Sequence, residues 1–179
     1  DKPKVLQTLA GKPLLEHLLE TVSSFSPTSV HVVVGQGSEE VKAKFADRSD
    51  IKWVYQAERK GTGHAMQQAA PDIDPDSRVL ILLGDAPLVK RTTLDELTSV
   101  DADLTVLTVD MEEPYNYGRI LRQDERVLEI IEEKDANERQ RSIREINSGV
   151  MVADGRKLVS WLKQLTDDNA QKEVLLTDI

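Results

Sequence analysis

The apolar positions of this chain change period repeatedly, and each change marks an element. Leu14, Leu15, Leu18, Leu19 and Val22 recur at helical spacing behind Pro13, which predicts a helix opening at Pro13 and fading into Ser23-Ser24. Val30–Val34 reads as a buried strand closed by Gly35-Gln36-Gly37, and Ser38-Glu39-Glu40 starts a second helix running towards Phe45. Lys52-Trp53-Val54-Tyr55 alternates as a strand does. Residues 63–70 predict a short helix stopped ahead of Pro71, and residues 79–83 an apolar strand. Thr93-Leu94-Asp95-Glu96 fits a capping box opening a further helix, with the next strand at 104–109.

The second half changes character. Residues 119–122 and 127–131, separated by Gln123-Asp124-Glu125-Arg126, predict an antiparallel hairpin. A strand over 149–153 precedes an amphipathic helix marked by Leu158, Val159, Trp161, Leu162 and Leu165. Strands alternating with helices predict a three-layer α/β fold, its sheet mostly parallel with helices on both faces, and the hairpin supplying the ligand-facing rim. There is no internal repeat or low-complexity linker, so no domain boundary is expected inside the chain.

Composition narrows the chemistry more than the fold. A chain of 179 residues with 39% hydrophobic and 31% charged positions reads as one soluble domain. No apolar run approaches the ~20 residues of a membrane span, and no signal pattern opens the chain, so no membrane partner and a cytoplasmic setting are expected. Without cysteine there is neither a thiolate nucleophile nor Cys-ligated zinc, and three dispersed histidines lack metal spacing. Carboxylates, Lys, Arg and backbone remain. The net charge of −9 argues against nucleic acid as a partner, while a locally positive pocket could still take an anionic substrate.

One stretch stands out for chemistry. The apolar run 79–83 ends at Gly84 and delivers the Asp85 carboxylate at the tip, the end of an open α/β sheet where ligands bind. A hard oxygen ligand suits Mg²⁺ held against substrate phosphates. The same Gly84-Asp85-Ala86-Pro87 could equally be a plain turn.

Eight pieces occur in an order that resembles a known family. They are Lys2-Pro3-Lys4-Val5-Leu6, Gln56-Ala57-Glu58 with Gly61-Thr62-Gly63-His64-Ala65, Leu83-Gly84-Asp85-Ala86-Pro87-Leu88, and Tyr117-Gly118-Arg119-Ile120. Glu132-Glu133-Lys134-Asp135-Ala136, Ile146-Asn147-Ser148-Gly149, Asn169-Ala170-Gln171-Lys172-Glu173 and Thr177-Asp178 complete the set. Together they resemble the uridyltransferase domain of the bacterial bifunctional N-acetylglucosamine-1-phosphate uridyltransferase/glucosamine-1-phosphate acetyltransferases. The resemblance covers essentially the whole chain. It implies a Rossmann-like sheet of the sugar nucleotidyltransferase type and a Mg²⁺-assisted reaction of UTP with N-acetylglucosamine 1-phosphate, giving UDP-N-acetylglucosamine and pyrophosphate; the alternatives are another sugar-1-phosphate nucleotidyltransferase of the same fold and a sugar-nucleotide-binding module without catalysis.

The resemblance also assigns roles. Asp85 would hold Mg²⁺ and Lys4 would contact phosphate, both as catalytic groups; Gln56, Gly61 and Thr62 would take the base, Leu83, Gly84 and Asp85 the nucleotide, and Gly118, Glu132 and Asn147 the sugar. The residue types suit these roles: an amide pairs with the imide edge of uracil, and backbone, carboxylate and amide together suit a hydroxyl-rich ligand. Each residue alone also has a plain reading, Lys4 as an exposed helix-entry lysine, Gln56 as a polar strand end, Gly61 as a helix-start glycine and Asn147 as a turn cap. Tyr115 and Tyr117, flanking the loop before Gly118, could wall the sugar or simply pack.

Family members begin with a strand and a Gly-rich loop ending Gly-Thr-Arg-Met, which this chain lacks; about 20 upstream residues are expected, the length of one strand plus loop. Downstream, the family adds an asparagine as second Mg²⁺ ligand, a helical linker and a left-handed β-helix that carries the acetyltransferase site and forms a homotrimer. Residues 1–179 are accordingly expected to be a partial uridyltransferase domain, inactive alone, with the missing strand between the 30–34 and 79–83 strands. Leu83 and Val174-Leu175, where aromatic residues are common, are smaller departures.

Overall fold

The computed structural model describes residues 2–124 and 126–179, so the tip of the expected hairpin at Glu125 lies outside the described residues. In chain order the elements are β1 (Thr8–Leu9), β2 (Lys12–Pro13), α1 (Leu14–Ser23), β3 (Val30–Val34), α2 (Ser38–Lys44), β4 (Ile51–Tyr55), α3 (Thr62–Ala69), β5 (Arg78–Ile81), α4 (Arg91–Ser99) and β6 (Leu104–Asp110). They continue with β7 (Arg119–Gln123), β8 (Arg126–Ile131), α5 (Glu138–Arg141), β9 (Glu145–Asp154) and α6 (Gly155–Leu162), and 3-10 turns lie at Lys4–Leu6, Ala70–Asp72 and Leu176–Asp178. No helix among the described residues is long and apolar enough to cross a membrane.

The chain divides into two compact units, Asp1–Arg59 with Leu82–Asp101, and Lys60–Ile81 with Ala102–Ile179. An undivided chain was expected. The units interleave, each taking two separate segments, so no linker of distinct composition marks the division.

In the first unit, β3 and β4 pair in parallel from Val30 against Ile51 to Val34 against Tyr55, joined by the crossover helix α2. Leu6, Leu15, Leu19, Val34, Val41, Phe45 and Ile51 form its core. The spacing of Leu15, Leu18 and Leu19 explains α1: these are its buried residues, one face of a helix that starts at Leu14, one residue after the expected Pro13. Helix α4 begins at Arg91 after Lys90, with no side-chain cap, so the expected capping box at Thr93 is not formed. Thr93 lies inside the first turn, and α4 is fastened by Arg91, which donates to the Ser24 carbonyl and lies 4.6 Å from the Phe25 ring centroid.

The second unit carries a five-stranded sheet in the order β5-β9-β7-β8, with β6 also on β9. All its ladders are antiparallel. The α/β class is as expected, but parallel pairing among the described residues is confined to β3 and β4. The reason is topological: β9 follows a hairpin and a short helix, not a crossover, and runs opposite to β5, β6 and β7. Its ten residues also exceed the expected 149–153 strand. The core joins Ile81, Met151 and Ala153 to Leu158 and Leu162 of α6, as the amphipathic pattern anticipated.

Candidate active site

The expected site residues gather as groups within each unit. β5, a strand of the second unit, stops at Ile81, two residues short of the expected end, and in the first unit Leu83-Gly84-Asp85-Ala86 is a turn closed by the Ala86 N–H on the Leu83 carbonyl at 3.0 Å. The plain turn is therefore real, and it carries one half of an ion pair. Lys4 Nζ donates to Asp85 Oδ2 at 2.5 Å, with the lysine side chain 69% and the carboxylate 34% exposed.

Lys4 opens a 3-10 turn fixed by the Leu6 N–H on the Pro3 carbonyl at 2.9 Å and by burial of Leu6 in the core. Gly84 lies against Val5, whose Cγ1 would be 3.2 Å from a Cβ at that position. An ammonium and a carboxylate thus share an open surface, one suited to phosphate oxygens and the other to a hard cation. Gln56 belongs to the same unit. Its N–H donates to the Val34 carbonyl at 2.8 Å, which extends the β3–β4 ladder by one residue and fixes where the amide emerges.

In the second unit, Gly118, Glu132 and Asn147 meet by strand register. Arg119 pairs with Ile131 of β8 and with Ile146 of β9, so one residue earlier Gly118 stands between Glu132 and Asn147. The Asn147 N–H donates to the Gly118 carbonyl at 2.9 Å, and Glu132 Oε1 would be 3.4 Å from a Cβ on Gly118. Thr177 Oγ1 donates to Glu132 Oε1 at 3.0 Å.

Asn147 also opens an irregularity in β9: the β6–β9 register shifts between Val106 and Thr108, and Gly149 takes φ +78°. Asn147 Oδ1 accepts the Gly149 N–H at 2.9 Å, so its NH₂ is left to donate elsewhere. Ser148 Oγ donates to the Leu107 carbonyl at 2.7 Å, tying the bulge to β6.

Gly61 and Thr62 make packing contacts within the second unit. Gly61, at φ +103° and ψ 175°, faces the carbonyl of Val174, whose oxygen would lie 2.3 Å from a Cβ. Thr62 Oγ1 accepts the Leu176 N–H at 3.1 Å. Both dock the 174–176 segment on the start of α3, a packing role that any contact with a base would have to share.

Three features escaped the sequence reading. Arg119, 1% exposed, donates to Glu133 Oε2 at 2.5 Å and to the Tyr117 carbonyl, although a buried arginine leading an apolar strand beside a Glu-Glu pair was a visible signal. Thr177 had no signal apart from the family motif. The Val174 carbonyl had none, because backbone is silent in sequence.

The titrations of Glu145 and Asp178 are displaced. Glu145 is held below the usual carboxylate range, first by the hydrogen bonds from Arg122, at 2.7 and 2.6 Å, with a smaller contribution from Thr108. Partial burial pushes Asp178 up, and the carboxylates of Asp135 and Glu129 add to it.

The profile of the MobA-like NTP transferase domain matches residues 1–175. The chain is 52% identical over 179 residues to the Bifunctional protein GlmU of Methylobacillus flagellatus and 48% over 178 residues to that of Xanthomonas oryzae pv. oryzae. Each alignment takes 99% of this chain and 39% of the relative, so the chain spans about two fifths of the curated relatives it matches. The fold is shared with a UDP-glucose pyrophosphorylase solved with UDP-glucose, at TM-score 0.74 and 17% identity over 98% of this chain and 76% of that one. On a profile match that runs almost its full length, the chain belongs to the MobA-like NTP transferase domain family.

Proposed function

We propose that this chain is the nucleotidyl-transferring part of an N-acetylglucosamine-1-phosphate uridyltransferase. The observation that carries the reading is the Lys4–Asp85 pair on the turn after β5, an anion-binding and a cation-binding group 2.5 Å apart. High identity to proteins named bifunctional protein GlmU supports the choice of substrates. The N-acetylglucosamine 1-phosphate oxygen is already a nucleophile, since the second pKa of a phosphate monoester is about 6, and no general base is needed. It attacks the α-phosphorus of UTP, the bond to the bridging oxygen of the β-phosphate breaks, and pyrophosphate leaves with the electron pair.

The chain's own residues bind and align the reactants. Lys4 holds an α-phosphate oxygen and offsets its charge. Gln56 pairs with the uracil edge, and the backbone of Gly61 and Thr62 also contacts the base. Leu83 and Gly84 shape the turn that offers Asp85, and Gly118, Glu132 and Asn147 hold the sugar hydroxyls and acetamido group. Asp85 is the residue that would hold Mg²⁺. One carboxylate fits an ion that keeps waters and substrate phosphates, and no group of three or more His, Asp or Glu among the described residues offers a protein cage. When bound, the ion supplies charge neutralisation at the phosphates.

The rest of the protein is part of the proposal. Residues 1–179 are a partial uridyltransferase domain of a longer cytoplasmic protein, whose other part acetylates glucosamine 1-phosphate and assembles a homotrimer through a β-helix. The test is pyrophosphate release by the intact protein with Mg²⁺, N-acetylglucosamine 1-phosphate and each nucleoside triphosphate in turn. UTP should be preferred, and Asp85→Asn should lower turnover by about 10² or more, roughly 3 kcal/mol. Preference for another triphosphate, or normal turnover in the variant across a Mg²⁺ titration, would overturn the reading.

A further inference from the structure

We infer that Arg119 is a positioning residue for the sugar-binding group, acting from beneath it through Glu133. The inference rests on the proposed role of Gly118, Glu132 and Asn147, and deepens it by naming what holds them in place. Arg119 is the register position of three strands: it pairs with Ile131 and with Ile146, and each of these immediately precedes a sugar-side residue, as Gly118 immediately precedes Arg119 itself. Successive side chains of extended backbone point to opposite sides, so Arg119, at the start of β7, points away from the side of Gly118, and Glu133, in the turn after β8, reaches it there.

On that reverse face the guanidinium is 1% exposed and acts as a clamp. One terminal nitrogen donates to the Tyr117 carbonyl, in the loop that leads into Gly118. The other donates to Glu133 Oε2 at 2.5 Å and lies 3.5 Å from the Arg141 carbonyl. Arg141 Nε in turn donates to the Glu133 carbonyl at 3.3 Å, and the Glu132 carbonyl accepts the N–H groups of Asp135 and Ala136, both at 3.0 Å. The clamp therefore pins the backbone on both sides of Gly118 and Glu132.

An apolar residue would fill this space with less desolvation, and a buried ion pair is weak evidence of stability for its own sake. What it supplies is geometry, because a planar fork reaches a carbonyl and a carboxylate in fixed directions, and a lysine ammonium cannot. The buried Nε has no hydrogen-bond partner among the described residues, so the two terminal nitrogens carry the whole connection.

The test uses Arg119→Lys, Glu133→Gln and Arg119→Met in the intact protein. Melting temperature, KM for each substrate and backbone hydrogen exchange are measured together. The expected result in Arg119→Lys and Glu133→Gln is a rise of about tenfold in KM for the sugar 1-phosphate, with KM for the triphosphate moved less than twofold. Amides of 116–118, 131–136 and 145–149 should exchange at least tenfold faster while the melting temperature stays within a few degrees of the wild type. If Arg119→Met does not fold, the two conservative variants decide alone.

Equal shifts in both KM values, or unchanged exchange at those amides, would overturn the positioning role. Hydrogen exchange needs no substrate, so it reports on the clamp even if the wild-type enzyme proves to use a different sugar phosphate, a result that would overturn only the substrate reading.

Discussion

Gly61→Ala gives a direct measure of how tightly the start of α3 is held. Two costs act together. The backbone at φ +103° and ψ 175° is a region open essentially to glycine alone, and placing alanine there costs about 1–3 kcal/mol. The new Cβ would stand 2.3 Å from the Val174 carbonyl oxygen and 3.0 Å from its carbon, with Glu173 Cβ at 3.1 Å, so backbone must move by close to an ångström. That movement strains the hydrogen bonds from the Val174 N–H to Lys60 at 2.7 Å and from the Gly63 N–H to Val174 at 2.9 Å, and crowding of this kind costs a further ~1–3 kcal/mol. The whole is about 2–6 kcal/mol, a large share of the 5–15 that holds a domain folded, and a drop of roughly 4–24 °C in melting temperature. Paired thermal and urea melts of Gly61→Ala and Gly35→Ala measure it. A Cβ on Gly35 would meet the Gln56 carbonyl at 3.4 Å with no positive φ, so that variant should lose about 1 kcal/mol or less. A Gly61→Ala protein melting within 2 °C of the wild type would falsify the packing account of this glycine.

Gln56→Glu removes the amide donor and places a carboxylate beside a uracil carbonyl; a cost of about 1–3 kcal/mol should erode the preference for UTP in a triphosphate panel, and unchanged selectivity would return Gln56 to a strand-end role. Lys4→Ala should cut turnover sharply with a melting temperature nearly unchanged, because a lysine 69% exposed contributes little to folding. A large loss of melting temperature with normal kinetics would reverse that assignment. Glu145→Gln tests acid stability: the Arg122 pairing holds Glu145 below its ordinary value of 4.5, so its contribution is present above that pH and lost as pH falls through the folded-state value. The wild-type advantage over the variant, about 1 kcal/mol after allowing for the solvent that reaches both groups, should shrink in melts taken below pH 4.5; a constant gap would rule the pairing out as its source.

Local elements were legible where one face is continuously apolar. The α1 and α6 patterns predicted helices, and the leucines they bury, Leu15, Leu18 and Leu19 in α1 and Leu158 and Leu162 in α6, were among those named from spacing, although Leu165 lies past the end of α6. The sequence under-read β9, because Glu145, Asn147, Ser148 and Gly149 interrupt the apolar period where the strand bulges. It misplaced the start of α4, because Lys90 is no capping residue and the fastening comes from Arg91 reaching a distant carbonyl. The division into two units left no trace, since residues 60–81 join 102–179 across an intervening segment.

The site was legible as residue types in order, and its geometry was not. Lys4 and Asp85 lie 81 positions apart, and nothing local says that an ammonium will rest on that carboxylate. Gly118, Glu132 and Asn147 are different, because their spacing is itself a ladder: once β7 pairs with β8 and with β9, the register of Arg119 fixes all three. A period-2 element makes such a site sensitive to insertion in a way that a loop site is not. One residue added within β8 would move Glu132 into the place of Glu133, against Arg119, and Ile131 into the place of Glu132 beside Gly118. The bulge at Asn147 is the one irregularity in β9's pairing with β6, and it falls beside that same glycine. Regular pairing therefore sets Gly118 between Glu132 and Asn147, and the one local break falls where Asn147 begins.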